Sequence, residues 1–139
     1  MGKHSAAVLR TRPFKGKWTP NEVLGHLTDG EWVYGCRLRL ILSEDTPPIL
    51  GTNQDLWVAR QRHNERDPAE LIEIFGILRQ FNLELLKRLS PEELQRTGRH
   101  NERGLESLDL MLRMLAGHDL SHLNQISRYL HAIQTQHQA

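Results

Sequence analysis

The sequence predicts an all-α protein built as an antiparallel bundle of long helices. Apolar residues recur every three or four positions in three long segments, which is the period of an amphipathic helix. No alternation of apolar and polar residues is long enough to predict a strand. With 139 residues, 38% of them hydrophobic, the chain is an ordinary globular one that builds a single domain around one core.

The first long helix is predicted to follow an irregular, polar arm of residues 1–17. Thr19 suits the N-cap, Pro20 suits the first helical position, and Glu22 completes a capping box. The apolar face of this helix, which ends near Ser43, carries Val23, Leu27, Tyr34, Leu38 and Ile41. His26 lies on that same face, so its imidazole is predicted to point into the bundle.

Three glycines fall within this helix, at Gly25, Gly30 and Gly35. Each costs up to about 1 kcal/mol relative to alanine. Repeated glycine on one helix therefore predicts that something approaches its backbone closely. Gly30 lies one turn beyond His26 and is expected to leave room above that imidazole.

The middle of the chain is predicted to contain loops, one short helix and a second long helix. Proline and glycine interrupt the pattern at Pro47, Pro48 and Gly51, whereas Asp67 is a good cap for the helix that follows it. The expected elements are a loop from Ser43 to Asn53, a short helix from Asp55 to about Glu65, a helix from Asp67 to Leu89, a turn or short helix from Ser90, and a polar loop with Gly98, His100 and Gly104. Trp57, in the short helix, is expected to be more exposed than the other tryptophans.

The last helix is predicted from Ser107 to Ile133 and contains two histidines at core positions. Its apolar residues are Leu108, Met111, Leu115, Ile126, Tyr129 and Ile133. The two remaining positions of this stripe are His118 and His122, which lie one turn apart and point the same way. Imidazole nitrogens that leave water need partners, and a shared transition metal is the simplest one.

His26, His118 and His122 together predict a metal centre. Two imidazoles from one helix and one from a facing helix leave coordination positions open, as in a catalytic site. Zinc or nickel is expected, with iron or manganese possible for the same ligands. The alternative is that the three histidines are hydrogen-bonded core residues.

Composition excludes several other classes of function. The net charge is +1 and no lysine or arginine block is interleaved with aromatic residues, so no nucleic-acid partner is expected. No apolar run is long enough to span a membrane, and the N-terminus lacks a signal-peptide core, so a cytoplasmic location is expected. The one cysteine, Cys36, excludes an internal disulfide and is expected in the core. Three long helices leave one apolar face poorly covered, which predicts a homodimer.

Two stretches also resemble a known family. The run from Lys17 to Glu31, KWTPNEVLGHLTDGE, resembles the "gkWs…Evl.HL.D.E" motif of the DinB-like superfamily, and LAGHDLSHLNQI, from Leu115 to Ile126, resembles its "la.HdlrHl.Qi" motif. The resemblance covers about residues 15–133. It implies a four-helix bundle, often dimeric, with a divalent metal on His26, His118 and His122. In this chain the usual N-terminal helix is expected to be shortened or missing.

Members of this superfamily are similar to transferases and isomerases that use low-molecular-weight thiols such as bacillithiol or mycothiol, and others are described as metal-dependent hydrolases. The prediction is therefore a metal-dependent enzyme that activates a small thiol or water against a small-molecule substrate. The expected domains are the arm 1–17, a DinB-like helical metal-binding domain 18–134 and a tail 135–139. The alternatives are a metal-binding stress-related protein without turnover and a dimeric interaction module.

Several further residues are candidates for the site. Asp29, three residues after His26, is the candidate catalytic proton acceptor, with an exposed helical carboxylate as the alternative. Arg37, Arg39 and Arg79 are candidates for binding an anionic substrate, with solvated positions as the alternative.

The other polar and aromatic residues receive simpler predictions. Gln125 follows His122 by three positions and is expected to support it, while His100 is a reserve ligand. Trp18 and Trp32 are expected to serve in packing. The histidines expected at the surface are His4, His63, His131 and His137.

Overall fold

The structure is a computed structural model that describes residues 4–136 of the chain. Its elements in chain order are α1 (Ala6–Leu9), α2 (Pro20–Ser43), β1 (Pro48–Ile49), α3 (Gln54–Arg60), a 3-10 turn (His63–Glu65), α4 (Pro68–Leu86), α5 (Pro91–Leu94), β2 (Thr97–His100), β3 (Gly104–Ser107) and α6 (Leu108–Gln136). Three long helices dominate, as predicted. Within the described residues, no helix has the length and apolarity that crossing a membrane requires.

The predicted helix starts are present in the structure. Thr19 accepts a hydrogen bond from the backbone N–H of Glu22, and the Glu22 side chain accepts one from the N–H of Thr19. Asp67 caps α4 in the expected position. These caps satisfy N–H groups that the first helical turn leaves without partners.

Helix α2 is the centre of the bundle and packs against both α4 and α6. One core cluster lies near its N-terminal half and consists of Val23, Leu24, Leu27, Leu71, Ile126 and Tyr129. A second cluster lies near its C-terminal half and consists of Leu38, Ile41, Ile49, Leu108 and Met111. Beside the first cluster, α2 and α6 bring their histidines together.

A small three-stranded sheet stands where the sequence predicts loops. Strands β2 and β3 form an antiparallel hairpin in which His100 pairs with Gly104, and β1 lies parallel to β2 with Ile49 beside His100. A Cβ at Gly98 would lie 2.8 Å from Ile49, so glycine lets the hairpin approach the core. Strands of two and four residues are too short to show the alternation of apolar and polar residues from which a strand is predicted.

The N-terminal arm is more ordered than predicted. It contains one helical turn, Ala6–Leu9, whose Leu9 is buried. Arg10 donates hydrogen bonds to the backbone carbonyls of Glu65 and Arg66, and Gln136 donates one to the carbonyl of Pro13. The arm therefore lies against the bundle, at the end where α6 finishes.

Three packing predictions are wrong. Cys36 is exposed instead of lying in the core. Trp32 is 61% exposed instead of packed, and Trp57, which was expected to be more exposed than the other tryptophans, is half-buried and less exposed than Trp32. Cys36 and Trp32 are both exposed on α2, so periodicity alone overestimated the width of the buried stripe.

Candidate metal centre

The structure brings the three predicted histidines together. His26 lies in the middle of α2, and His118 and His122 lie one turn apart on α6. Each offers one ring nitrogen, and these three nitrogens lie within 4.8 Å of one another. The Nε2 atoms of His26 and His118 are 2.7 Å apart. The helix register therefore converges three imidazoles from two helices on a single point.

Gln125 holds one of these rings in a defined orientation. Its Oε1 lies 2.7 Å from His122 Nδ1, and its Nε2 donates to the hydroxyl of Tyr129 at 2.8 Å. Because the amide oxygen only accepts, the His122 proton is assigned to Nδ1. This leaves the lone pair of Nε2 free for a metal. The expected supporting role of Gln125 is consistent with this contact.

The surroundings of His118 carry an ionic network. Asp119 Oδ1 lies 3.7 Å from His118 Nδ1, which is beyond hydrogen-bond range, and that nitrogen is buried without a hydrogen-bond partner among the described residues. Asp119 instead forms an ion pair with Arg79, which also pairs with the buried Glu31. The network ties α2, α4 and α6 together beside the cluster.

Burial and neighbouring histidines keep His26 and His118 unprotonated. Burial, together with the neighbouring His122 and His118, lowers the pKa of His26 to about 3. Burial and the proximity of His122 also lower the pKa of His118. Both rings are therefore neutral near pH 7, which is the form that binds a metal.

The donor set fits a first-row transition metal. Three neutral imidazoles supply borderline ligands of the kind that zinc, nickel and iron accept, with metal–nitrogen distances of about 2.0–2.1 Å for zinc. Nitrogens within 4.8 Å of one another can reach one ion through small side-chain rotations. Trp18 lies over the ring of His26, with centroids 5.0 Å apart, and shields this side of the cluster.

A cavity of about 180 Å³ opens beside His26 and His118, so a ligand at the cluster would be accessible. Asp29 and Gly30 also line it. A Cβ at Gly30 would lie 3.8 Å from Cε1 of His118. Gly30 therefore faces His118 rather than His26, and the space that glycine leaves belongs to the cavity.

Asp29 is engaged by a histidine that the sequence analysis placed at the surface. His63 is 2% exposed, and its Nε2 lies 2.8 Å from Asp29 Oδ2, which also accepts a hydrogen bond from Gln61. The surface prediction for His63 is wrong because the ring packs on Gly25, where a Cβ would lie 2.2 Å from it. Gly25 itself was the available clue to this close approach.

Of the other candidate residues, some line the cavity and others bond elsewhere in the bundle. Arg37 and His100 line the cavity with the histidines. Arg39 instead bonds Asn82 and the carbonyl of Gly35, and Arg79 bonds Glu31 and Asp119.

The outcome for the predicted surface histidines is mixed. His131 is exposed as expected and His4 is partly exposed. His137 lies outside the described residues.

Comparison with known proteins identifies the family. The sequence model of the DinB superfamily matches residues 1–126. The chain belongs to the DinB superfamily. A relative from Oceanobacillus iheyensis, named "Putative metal-dependent hydrolase", is 30% identical over 120 residues, which cover 86% of this chain and 69% of the relative. A protein of the same name from Bacillus subtilis, YfiT, is 25% identical over 117 residues, which cover 81% of this chain and 66% of YfiT.

The solved structure of YfiT from Bacillus subtilis shows the same fold. It superposes with a TM-score of 0.77 at 24% identity, over 90% of this chain and 74% of that one. YfiT is described as having an unusual four-helix bundle topology. The all-α bundle predicted from the sequence is therefore confirmed. This chain spans about two thirds of the length of its two named relatives.

Proposed function

We propose that this DinB-superfamily protein is a metal-dependent enzyme that acts on a small molecule with an activated water or thiol as nucleophile. The observation that supports it is the convergence of three histidine nitrogens within 4.8 Å at the edge of a cavity. Relatives named as metal-dependent hydrolases favour water as the nucleophile. A low-molecular-weight thiol as cosubstrate is the second form of the same proposal.

His26, His118 and His122 would hold the metal, for which zinc or nickel is proposed. A bound divalent ion lowers the pKa of a water or thiol ligand and so supplies a nucleophile at neutral pH. Gln125 fixes the ring of His122 through its Nδ1 proton, and Trp18 restricts solvent on one side of His26. The chain thus supplies ligand orientation and a partly shielded site.

Asp29 is the proposed proton acceptor. Its Oδ2 is occupied by donors from His63 and Gln61, so Oδ1 is the oxygen available to take a proton. The residue lines the cavity one turn from His26. A carboxylate in this position would accept the proton that the nucleophile releases and pass it to solvent through the cavity.

A homodimer is proposed to cover the open side of the bundle. A groove of about 670 Å³ between α4 and α6 is lined by apolar side chains that include Ile72, Leu120 and Leu123, each more than 40% exposed. Exposed apolar surface on this scale is typical of an interface. Light scattering coupled to gel filtration would give twice the chain mass, and a monomer at micromolar concentration would contradict the assembly. We further propose that the enzyme acts in the cytoplasm.

Metal content tests the central claim. Elemental mass spectrometry on untagged protein should give near-stoichiometric metal for the wild type and little for His118→Ala. The matched control is His131→Ala, an exposed histidine on the same helix, which should keep the metal. Absence of metal from wild type and variant alike would overturn the proposal and favour histidines that are only packed in the core.

Turnover assays separate the enzyme from the alternatives. Ester, amide and lactone panels test hydrolysis, and the same electrophiles with added thiols test transfer. Hydrolysis without thiol dependence would decide for water, whereas conjugates that form only with thiol would decide for transfer. Bound metal with no turnover on either panel would favour the non-catalytic metal-binding alternative.

A further inference from the structure

The cavity beside the three histidines extends along α2 to a buried cation. His26, Gly30, Tyr34 and Arg37 all line it, and their spacing places them on one face of the helix. His26 and Arg37 are separated by eleven positions, or about 16 Å along the helix axis. The cavity therefore has a histidine end and an arginine end.

Arg37 is a buried cation, and the carboxylate that attracts it, Glu106, is ion-paired with Arg103. The Arg37 side chain is buried, and its Nη2 donates to the carbonyl of Leu50 at 2.7 Å. Within residues 4–136 it takes part in none of the ion pairs. Burial lowers the pKa of Arg37, yet a guanidinium stays protonated at neutral pH. A buried cation of this kind is costly unless an anion approaches it.

His100 lines the same cavity and holds an unused donor. Its Nδ1 accepts hydrogen bonds from the backbone N–H groups of Glu102 and Arg103, at 3.1 and 3.3 Å. In a neutral imidazole the proton must then lie on Nε2. That Nε2 is buried and has no acceptor in the described part of the chain, although His100 is only 2% exposed.

The remaining charged groups of the cavity are already engaged or exposed. Arg103 forms an ion pair with Glu106, so its charge is balanced. Asp29 accepts hydrogen bonds from Gln61 and His63. Glu102 is exposed at the rim. Among the described residues, Arg37 is thus a cation of the cavity without an ion-pair partner, and the Nε2–H of His100 is a buried donor without an acceptor.

We propose that this cavity binds a small carboxylate substrate, whose carboxylate group is received by the Arg37 guanidinium and the Nε2–H of His100. The rest of such a substrate extends toward the three histidines, and only this second part of the proposal rests on the proposed function. One guanidinium and one neutral N–H suit a monoanion, because a phosphate dianion calls for more positive charge or several backbone donors. The cavity volume of about 180 Å³ restricts the ligand to a small molecule.

Benzoate and benzamide provide a direct test on the full chain, both as purified and after chelation of metals. The two probes share a shape and differ in charge. Long-range ¹H–¹⁵N NMR of the imidazole nitrogens should show His100 protonated on Nε2, and benzoate should shift that resonance saturably while benzamide does not. Chelated protein is included because a carboxylate can also bind a metal directly.

Substitutions then assign the binding to the arginine end. Arg37→Gln should weaken benzoate binding about tenfold or more, since one charge-assisted, bidentate contact is lost. Arg37→Lys keeps the positive charge but lacks the planar guanidinium. Its affinity for benzoate should lie between that of Arg37→Gln and that of the wild type. The control Arg99→Gln removes an exposed arginine next to His100 in sequence and should change nothing.

The outcomes separate this inference from the proposed function. Three outcomes would overturn the carboxylate site. Benzoate could bind Arg37→Gln as well as it binds the wild type, it could bind only when metal is present, or benzamide could bind equally well. The purified protein could also contain no metal and still bind benzoate saturably through Arg37. That outcome would support the carboxylate site and contradict the proposed metal centre. If Arg37→Gln does not fold, the wild-type comparison of benzoate with benzamide at the His100 resonance decides the question.

Discussion

The carboxylate of Asp29 and the imidazole of His63 form a hydrogen-bonded pair beside the three-histidine cluster, with 2.8 Å between Oδ2 and Nε2. Asp29 belongs to α2, whereas His63 belongs to the 3-10 turn that precedes α4. The side chain of Asp29 is only 15% exposed, so its hydrogen bonds decide where the carboxylate points. His63 therefore positions Asp29 at the cavity.

Replacing His63 by phenylalanine should destabilise the protein. The variant keeps a ring on Gly25 but removes one donor from a largely buried carboxylate, which costs about 1–3 kcal/mol. Urea denaturation followed by circular dichroism measures the free energy of unfolding. Gln61→Ala is the control, because Gln61 donates to the same oxygen from an exposed position and its loss should cost about 0.5 kcal/mol or less. Equal effects of the two substitutions would contradict the positioning role of His63.

Asp29→Asn should separate metal binding from chemistry. The variant should retain the metal, because Asp29 is not one of the three clustered ligands. Its kcat should fall by about 10²–10⁴-fold if the carboxylate accepts a proton. Elemental mass spectrometry and steady-state kinetics on the substrate found in the turnover panels provide the two measurements. Full activity in this variant would remove Asp29 from the mechanism.

Gly25→Ala should be destabilising even though alanine is the better helix former. A Cβ at this position would lie 2.2 Å from Cγ of His63, and the buried ring has little room to move. A cost of about 1–3 kcal/mol is expected from this overpacking. The matched control is Gly76→Ala on α4, where a Cβ meets no atom within 4 Å and a gain of about 0.5–1 kcal/mol is expected. Thermal denaturation should show a lower melting temperature than wild type for Gly25→Ala and a higher one for Gly76→Ala.

Gln125→Ala should weaken metal binding without removing it. The substitution releases His122 Nδ1 from its partner, so the ring loses its fixed orientation. Loss of such a supporting hydrogen bond typically costs 10–100-fold in metal affinity. Competition with a chromogenic chelator measures the affinity, and Gln134→Ala, an exposed change on the same helix, should leave it unchanged. Identical affinities for all three proteins would contradict the supporting role.

The buried Glu106 should make stability depend on acid pH. Its hydrogen bond from Arg103 lowers the pKa of Glu106 below its usual value of 4.5. At pH values between the lower pKa of the folded state and the pKa of 4.5 in the unfolded state, the unfolded chain binds more protons than the folded one. The ionised Glu106 therefore contributes its full stabilisation above pH 4.5, and this stabilisation is lost as the pH falls through the folded-state pKa.

The comparison of wild type with Glu106→Gln isolates this contribution. At pH 7 the variant should be less stable in urea, because Arg103 loses its charged partner. At pH 3 the difference between the two free energies of unfolding should shrink toward zero. A difference that is constant from pH 7 to pH 3 would show that Glu106 does not titrate in this way.

Much of the fold was predictable because local chemistry specifies it. The capping box at Thr19 and Glu22, and the cap at Asp67, are set by residues within one turn of one another. Helical periodicity placed His118 and His122 on one face, and the structure puts their rings 4.4 Å apart. Neither observation required knowledge of a distant residue.

The features that were missed depend on contacts between distant segments. The strands β1 and β2 pair across about fifty residues, and each is too short to show its own period. The burial of His63 depends on Gly25, which lies on another element. A polar residue in a short turn looks exposed until its partner is known.

The sequence by itself determined the helices, their starts, the inward face that carries His26, His118 and His122, and the family. Those properties follow from spacing and from residues that are neighbours along the chain. Only the tertiary structure decided that Asp29 is held by His63, that Arg37 reaches the cavity while Arg39 and Arg79 do not, and that His100 has a free Nε2. Helical period gives the direction in which a side chain leaves its own helix, whereas its partners depend on which other helix, turn or strand packs there.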